Sequence, residues 1–101
     1  MIRIPTDRVP THPGEMLLQE FLIPMAITPQ ELAAATRLPS DFIDALIKGD
    51  SPVNASSSLR LARFFGVSAD FWMNLQLRWD LYQAQREEVD ALQNIQPYKA
   101  A

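Results

Sequence analysis

The chain has 101 residues, one domain's worth, and 48% of them are apolar, which excludes wholesale disorder. It has no cysteine, which excludes disulfides, thiolate metal sites and cysteine nucleophiles. Nine basic against twelve acidic side chains leave a net charge of −3, without the basic surplus by which nucleic-acid binders usually announce themselves.

Residues 1–11 hold Pro5 and Pro10, mixed charges and no periodicity, and read as an N-terminal arm. They lack the continuous apolar run of a secretory signal, and no later stretch is apolar enough to span a membrane. The expectation is a small cytoplasmic domain. His12-Pro13-Gly14-Glu15 is a helix start, with Pro at the first position and Glu in the first turn. Leu18 and Leu22 then stack one turn apart, as do Leu17 and Phe21, while Gln19 and Glu20 face away. Pro24 should push Ile23 out of the helical region and end this helix.

Thr28-Pro29-Gln30-Glu31 is a capping box that opens a second helix, running through Leu32 and three alanines to about Arg37. Pro39-Ser40-Asp41 opens a third, with Phe42, Ile43, Leu46 and Ile47 at helical spacing and Gly49 as its stop. Asn54 caps a fourth, Ala55 to Phe65, closed by Gly66. Ser68 is placed to cap a fifth that meets no Pro or Gly before about Glu88. A weakly amphipathic stretch and a tail broken by Pro97 follow. Five helices with short connections and no β alternation predict an all-α fold. Its parts are a domain over 12–66, a long C-terminal helix over 67–88 and a tail over 89–101.

The second and third helices, joined by a short turn and with the small Ala33 at their close approach, make a helix-turn-helix. Three blocks extend the pattern. They are His12-Pro13-Gly14-Glu15 with Leu18 and Phe21, then Leu59-Arg60-Leu61-Ala62-Arg63-Phe64-Phe65-Gly66, then Phe71-Trp72-Met73-Asn74-Leu75-Gln76. In this order and spacing, over residues 12 to 86 without a gap, the sequence resembles the HigA-type antitoxins of bacterial toxin–antitoxin pairs. These belong to the XRE family of helix-turn-helix proteins. The resemblance implies a lambda-repressor-like domain with a long C-terminal helix for dimerisation. It also implies repression of its own operator and restraint of a small ribosome-dependent ribonuclease toxin, the HigB-type (RelE-like) partner.

The sequence departs from that family where DNA would be met. The turn glycine and the glutamine that opens the second helix of the family are Arg37 and Pro29 here. The outward positions of the recognition helix are Ser40, Asp41, Asp44 and Ala45, with Phe42 beside them. Between Thr28 and Asp50, Arg37 and Lys48 stand against Glu31, Asp41, Asp44 and Asp50, a net of −2. Phosphate contact falls to Arg37 and Lys48, and direct readout to Ser40 and Asp41. Phe42 either touches a thymine methyl or packs against the second helix. The expectation is weak, salt-sensitive operator binding.

Other readings are plainer. His12, the lone histidine, suits a helix start better than a metal site. Ser56, Ser57 and Ser58 suit the first turn of a helix better than nucleophilic catalysis. No Gly-rich phosphate loop, metal-ligand spacing or nucleophile motif is present, so neither an enzyme nor a cofactor is expected. Arg60 and Arg63 read as a solvated face paired with Asp, or as phosphate or toxin contacts. Apolar residues from Phe71 to Tyr82 fill more than one helical stripe. Trp72, Leu75, Trp79 and Tyr82 are therefore the expected dimer interface. Candidate toxin contacts are the arm, Glu15 and Glu20, and Glu87, Glu88 and Asp90. Two alternatives stay open: a protein-interaction module on this fold, and a stand-alone regulator without a toxin.

Overall fold

The computed structural model describes residues 8–99; residues 1–7 of the expected arm and 100–101 of the expected tail lie outside them. All regular elements among the described residues are helical. The first, α1, is a continuous run built from Pro13–Met16, a π-wound stretch Leu17–Leu22, and Ile23–Met25. Then come α2 (Pro29–Thr36), α3 (Ser40–Ile47), α4 (Ala55–Phe65), α5 (Phe71–Glu87) and α6 (Val89–Gln93).

The punctuation works largely as the sequence dictates. His12 caps α1 through Nδ1, which accepts the Gly14 N–H at 3.0 Å. Thr28 and Glu31 exchange both bonds of the capping box, at 3.1 and 3.0 Å. Asn54 and Ser57 do the same at the start of α4, each at 2.9 Å. Gly49 (φ 81°) and Gly66 (φ 69°) take the left-handed conformation that ends α3 and α4.

Three boundaries differ from expectation. Ile23 stays helical (φ −64°, ψ −53°) and α1 runs on to Met25 despite Pro24. The reason lies in the π-wound turn before it, where the Ile23 N–H donates to the Leu18 carbonyl five residues back. That wider winding relieves the clash between a proline ring and the carbonyl four residues earlier. Next, α5 starts at Phe71 with Asp70 at its cap position, and Ser68 sits in the turn ahead. There the Phe71 N–H donates to the Ser68 carbonyl at 3.1 Å. The Ser68 hydroxyl, first among several hydrogen bonds, holds the Asp70 carboxyl below its ordinary range. Last, a short sixth helix, α6, forms within the stretch assigned to the tail.

Leu17, Leu22, Leu32, Ile43, Leu46 and Leu61 are buried around Trp72. Each such leucine contributes about 1.5–3 kcal/mol by leaving water. Phe21 ties α1 to the end of α4 and the start of α5, its ring centroid 4.7 Å from Phe65 and 5.1 Å from Trp72. Gly14 lies directly against α3, where a Cβ would overlap the Leu46 carbonyl oxygen. Beyond this core every residue from Ala84 to Lys99 is exposed. The molecule is accordingly elongated, 56 × 25 × 22 Å.

Candidate nucleic-acid interface

Helices α2 and α3 meet over Leu32, Ala33, Ile43 and Leu46, all buried. The connection between them is strained at one residue: Arg37 adopts φ 58°, a conformation that favours glycine. Two bonds hold it. The Leu38 N–H donates to the Ala33 carbonyl at 3.1 Å. From α4, Arg60 Nη1 donates to the Thr36 and Arg37 carbonyls, each at 3.0 Å. Arg60 thus caps the C-terminus of α2, a role neither sequence reading of it had foreseen; the guanidinium also suits the negative end of that helix dipole.

This frame presents Ser40, Asp41 and Asp44 in the open along α3, with Lys48 exposed at its end and Arg37 exposed in the turn before it. Two cations therefore flank two carboxylates. Asp41 sits in the first turn of α3, where a carboxylate is favourable to the helix itself. Phe42 is half-buried and packs against the core, so it follows the packing alternative more than the base-contact one.

The residues expected to pair two chains divide. Trp72 is fully buried in the chain's own core and has no surface to offer a partner; its indole N–H is left without an acceptor. Leu75, Trp79 and Tyr82 are half-buried on α5. Trp79 stacks edge-on against His12, with ring centroids 5.0 Å apart. Arg86 lies over the Tyr82 ring, 5.5 Å from its centroid. Burial pushes the His12 imidazole below its ordinary pKa, while Asp80 and Glu15 pull it back up. A neutral ring is what the cap requires, since Nδ1 must accept.

No protein-family model matches the chain. Antitoxin HigA-1 of Vibrio cholerae is 34% identical to it over 92 residues, 91% of this chain and 87% of that protein. The chain belongs to the HigA family of helix-turn-helix antitoxins. Among solved structures, Pseudomonas aeruginosa antitoxin HigA with the higBA promoter matches with a TM-score of 0.84 and 34% identity, over 89% of this chain and 99% of that one. Antitoxin GraA in complex with its operator matches with a TM-score of 0.86 and 28% identity, over 97% and 100%. The all-α helix-turn-helix fold is thus that of HigA antitoxins.

Within this HigA-family domain, three functional supports escape sequence reasoning. Gly14 was legible as part of a helix start, but not as the seat of α3. Arg60 gave no sign that it pins the turn. Gln76 is buried and accepts the Val53 N–H at 2.9 Å while donating to Asp80 at 2.9 Å, which ties the loop before α4 to α5. A polar residue inside an otherwise apolar helix face was the one signal available for it. No cluster of potential metal ligands occurs among the described residues.

Proposed function

We propose that this chain is a DNA-binding antitoxin. It neutralises a small HigB-type ribonuclease toxin and, as a dimer, represses its own operon through α3. What supports this most is the exposed edge of α3 on a fold shared with HigA and GraA proteins seen on promoter and operator DNA. In the proposed complex α3 enters the major groove, and half-sites of an inverted repeat lie about one helical turn apart. Ser40 and Asp41 reach base edges, Asp41 accepting from a cytosine amino group. Arg37 and Lys48 contact phosphate and set the register. Because Arg60 is engaged by the α2 carbonyls, each subunit offers two phosphate contacts, about four per dimer.

Dimerisation is assigned to α5, where Met73 and Leu77 are exposed one turn apart beside half-buried Leu75, Trp79 and Tyr82. Toxin binding is assigned to the exposed acidic face of α1, Glu15 and Glu20, which steers a basic partner. The chain acts by binding and not as an enzyme. The test is co-expression with a small basic open reading frame adjacent to its gene. The toxin alone should arrest growth, the pair should grow, and the two should co-purify. Failure of both rescue and co-purification would favour a stand-alone regulator. A second reading, the interaction module, is favoured by the net −2 over Thr28–Asp50 and predicts no promoter preference at any salt concentration.

A further inference from the structure

A groove of about 390 Å3 runs between α2 and α4, lined by Ala35, Thr36, Leu59, Arg60, Arg63 and Phe64. Its apolar part is open, with Leu59 57% and Phe64 40% exposed. Its charge is wholly positive, for α4 carries two arginines and no carboxylate in a chain of net charge −3. An open apolar surface bordered by guanidinium groups suits a partner that is apolar and acidic.

The chain itself holds such a segment. Around α6, the exposed carboxylates of Glu87, Glu88 and Asp90 lie beside Val89, Leu92 and Ile95. These three apolar residues recur every third position, and they are 47%, 47% and 65% exposed. This C-terminal arm is complementary to the α2–α4 groove in both hydrophobicity and sign of charge.

Groove and arm of one chain lie at opposite ends of α5. The Ser58 hydroxyl donates to the Ala69 carbonyl at 3.1 Å, and a second hollow joins Leu59 and Arg63 to Val67 and Ala69. The groove is therefore set at the start of α5, whereas the arm leaves its far end. The 17 residues of α5 span roughly 26 Å, and the five residues of α6 only about 8 Å. A second copy removes the obstacle: two α5 helices laid antiparallel bring each arm beside the partner's groove, in a two-fold contact that repeats itself.

We propose that the C-terminal arm of each chain docks in the α2–α4 groove of a second copy, with Val89 and Leu92 on Leu59 and Phe64, and Glu87 and Glu88 facing Arg63. This rests on the dimer reading above and adds which surfaces close the dimer. A basic partner is disfavoured in the groove by Arg60 and Arg63.

The absence of cysteine makes the test direct. Full-length Phe64→Cys and Leu92→Cys chains, mixed and mildly oxidised, should give a covalent heterodimer, which neither variant gives alone. In sedimentation equilibrium, Arg63→Glu and Glu88→Arg should each raise the dimer dissociation constant about tenfold, since each change acts twice across a two-fold axis. Combining them should restore it. If the wild type is dimeric yet indifferent to both reversals, and the mixed chains do not cross-link, the dimer stands on α5 alone and the arm proposal is overturned. If a chain carrying both cysteines closes on itself as a monomer, the arm folds back and the proposal is likewise overturned. A wild type that sediments as a monomer at micromolar concentration removes the dimer reading together with this one.

Discussion

Gly14 shows how little room a residue can have. Any side chain there meets the backbone of α3 at Leu46, which cannot move aside as a flexible side chain would. Gly14→Ala should cost about 3 kcal/mol or more, at the upper end for overpacking, and thermal unfolding would register it as a large drop in Tm. His12 acts at the other end of the same motif. Its folded-state pKa is lowered, so its contribution is present above the unfolded value and is lost as pH falls through the folded one. Protonated Nδ1 would turn a donor toward the Gly14 N–H and break the cap. His12→Asn keeps a capping oxygen without titrating. Between pH 7.5 and 5.5 its Tm should fall less than that of the wild type; equal slopes in the two proteins would refute the role of His12. Arg37 carries the strained backbone of the turn, a position where glycine would be easier. Arg37→Gly should raise stability by up to about 1 kcal/mol and at the same time weaken DNA binding, which separates its backbone cost from its charge.

At the scale of elements, what was legible in the sequence was whatever a short segment decides alone. The capping pairs Thr28/Glu31 and Asn54/Ser57, and the stops Gly49 and Gly66, are local chemistry, and α2, α3 and α4 follow from them. What escaped depends on neighbours far along the chain. Pro24 reads as a helix breaker until the π-wound turn before it is known, and Arg60 becomes a cap only because α4 folds back onto the end of α2. Trp72 belongs to the core and not to a partner because Phe21 and Phe65 close over it, contacts that no helical period reveals. The exposure along α3 was legible as a list, since Ser40, Asp41 and Asp44 stand out on it and Lys48 at its end, whereas Ala45, expected to face outward, is half-buried. Its charge makes a prediction. Asp41 and Asp44 repel phosphate, so replacing both with Asn should tighten binding to DNA of any sequence several-fold, as an anisotropy titration would show. The loss of Asp41 from the first turn should cost α3 about 0.3–1 kcal/mol, visible in Tm but not in the direction of the DNA effect.

The whole molecule is a compact head with an exposed C-terminal arm, and its charges are distributed unevenly. Carboxylates dominate α1 and the C-terminal arm, α4 is positive, and α3 carries only the carboxylates Asp41 and Asp44, with Arg37 and Lys48 just beyond its ends. Such a distribution suits a protein that holds a basic partner firmly and DNA lightly. Association with the proposed toxin should slow as salt is raised; an on-rate indifferent to salt would rule out electrostatic steering. DNA binding should be more sensitive still. The decisive measurement is a titration of the full-length chain onto its own promoter over a range of salt concentrations, beside the Asp41→Asn, Asp44→Asn double variant. The expected result is a preference for the promoter, weak affinity at physiological salt and a log–log salt slope of about −4, from about four phosphates at −0.9 each. The double variant should bind more tightly at every salt concentration. Nanomolar binding by the wild type in physiological salt, with the double variant no better, would contradict this and place the residues that hold the DNA outside the stretch from Arg37 to Lys48.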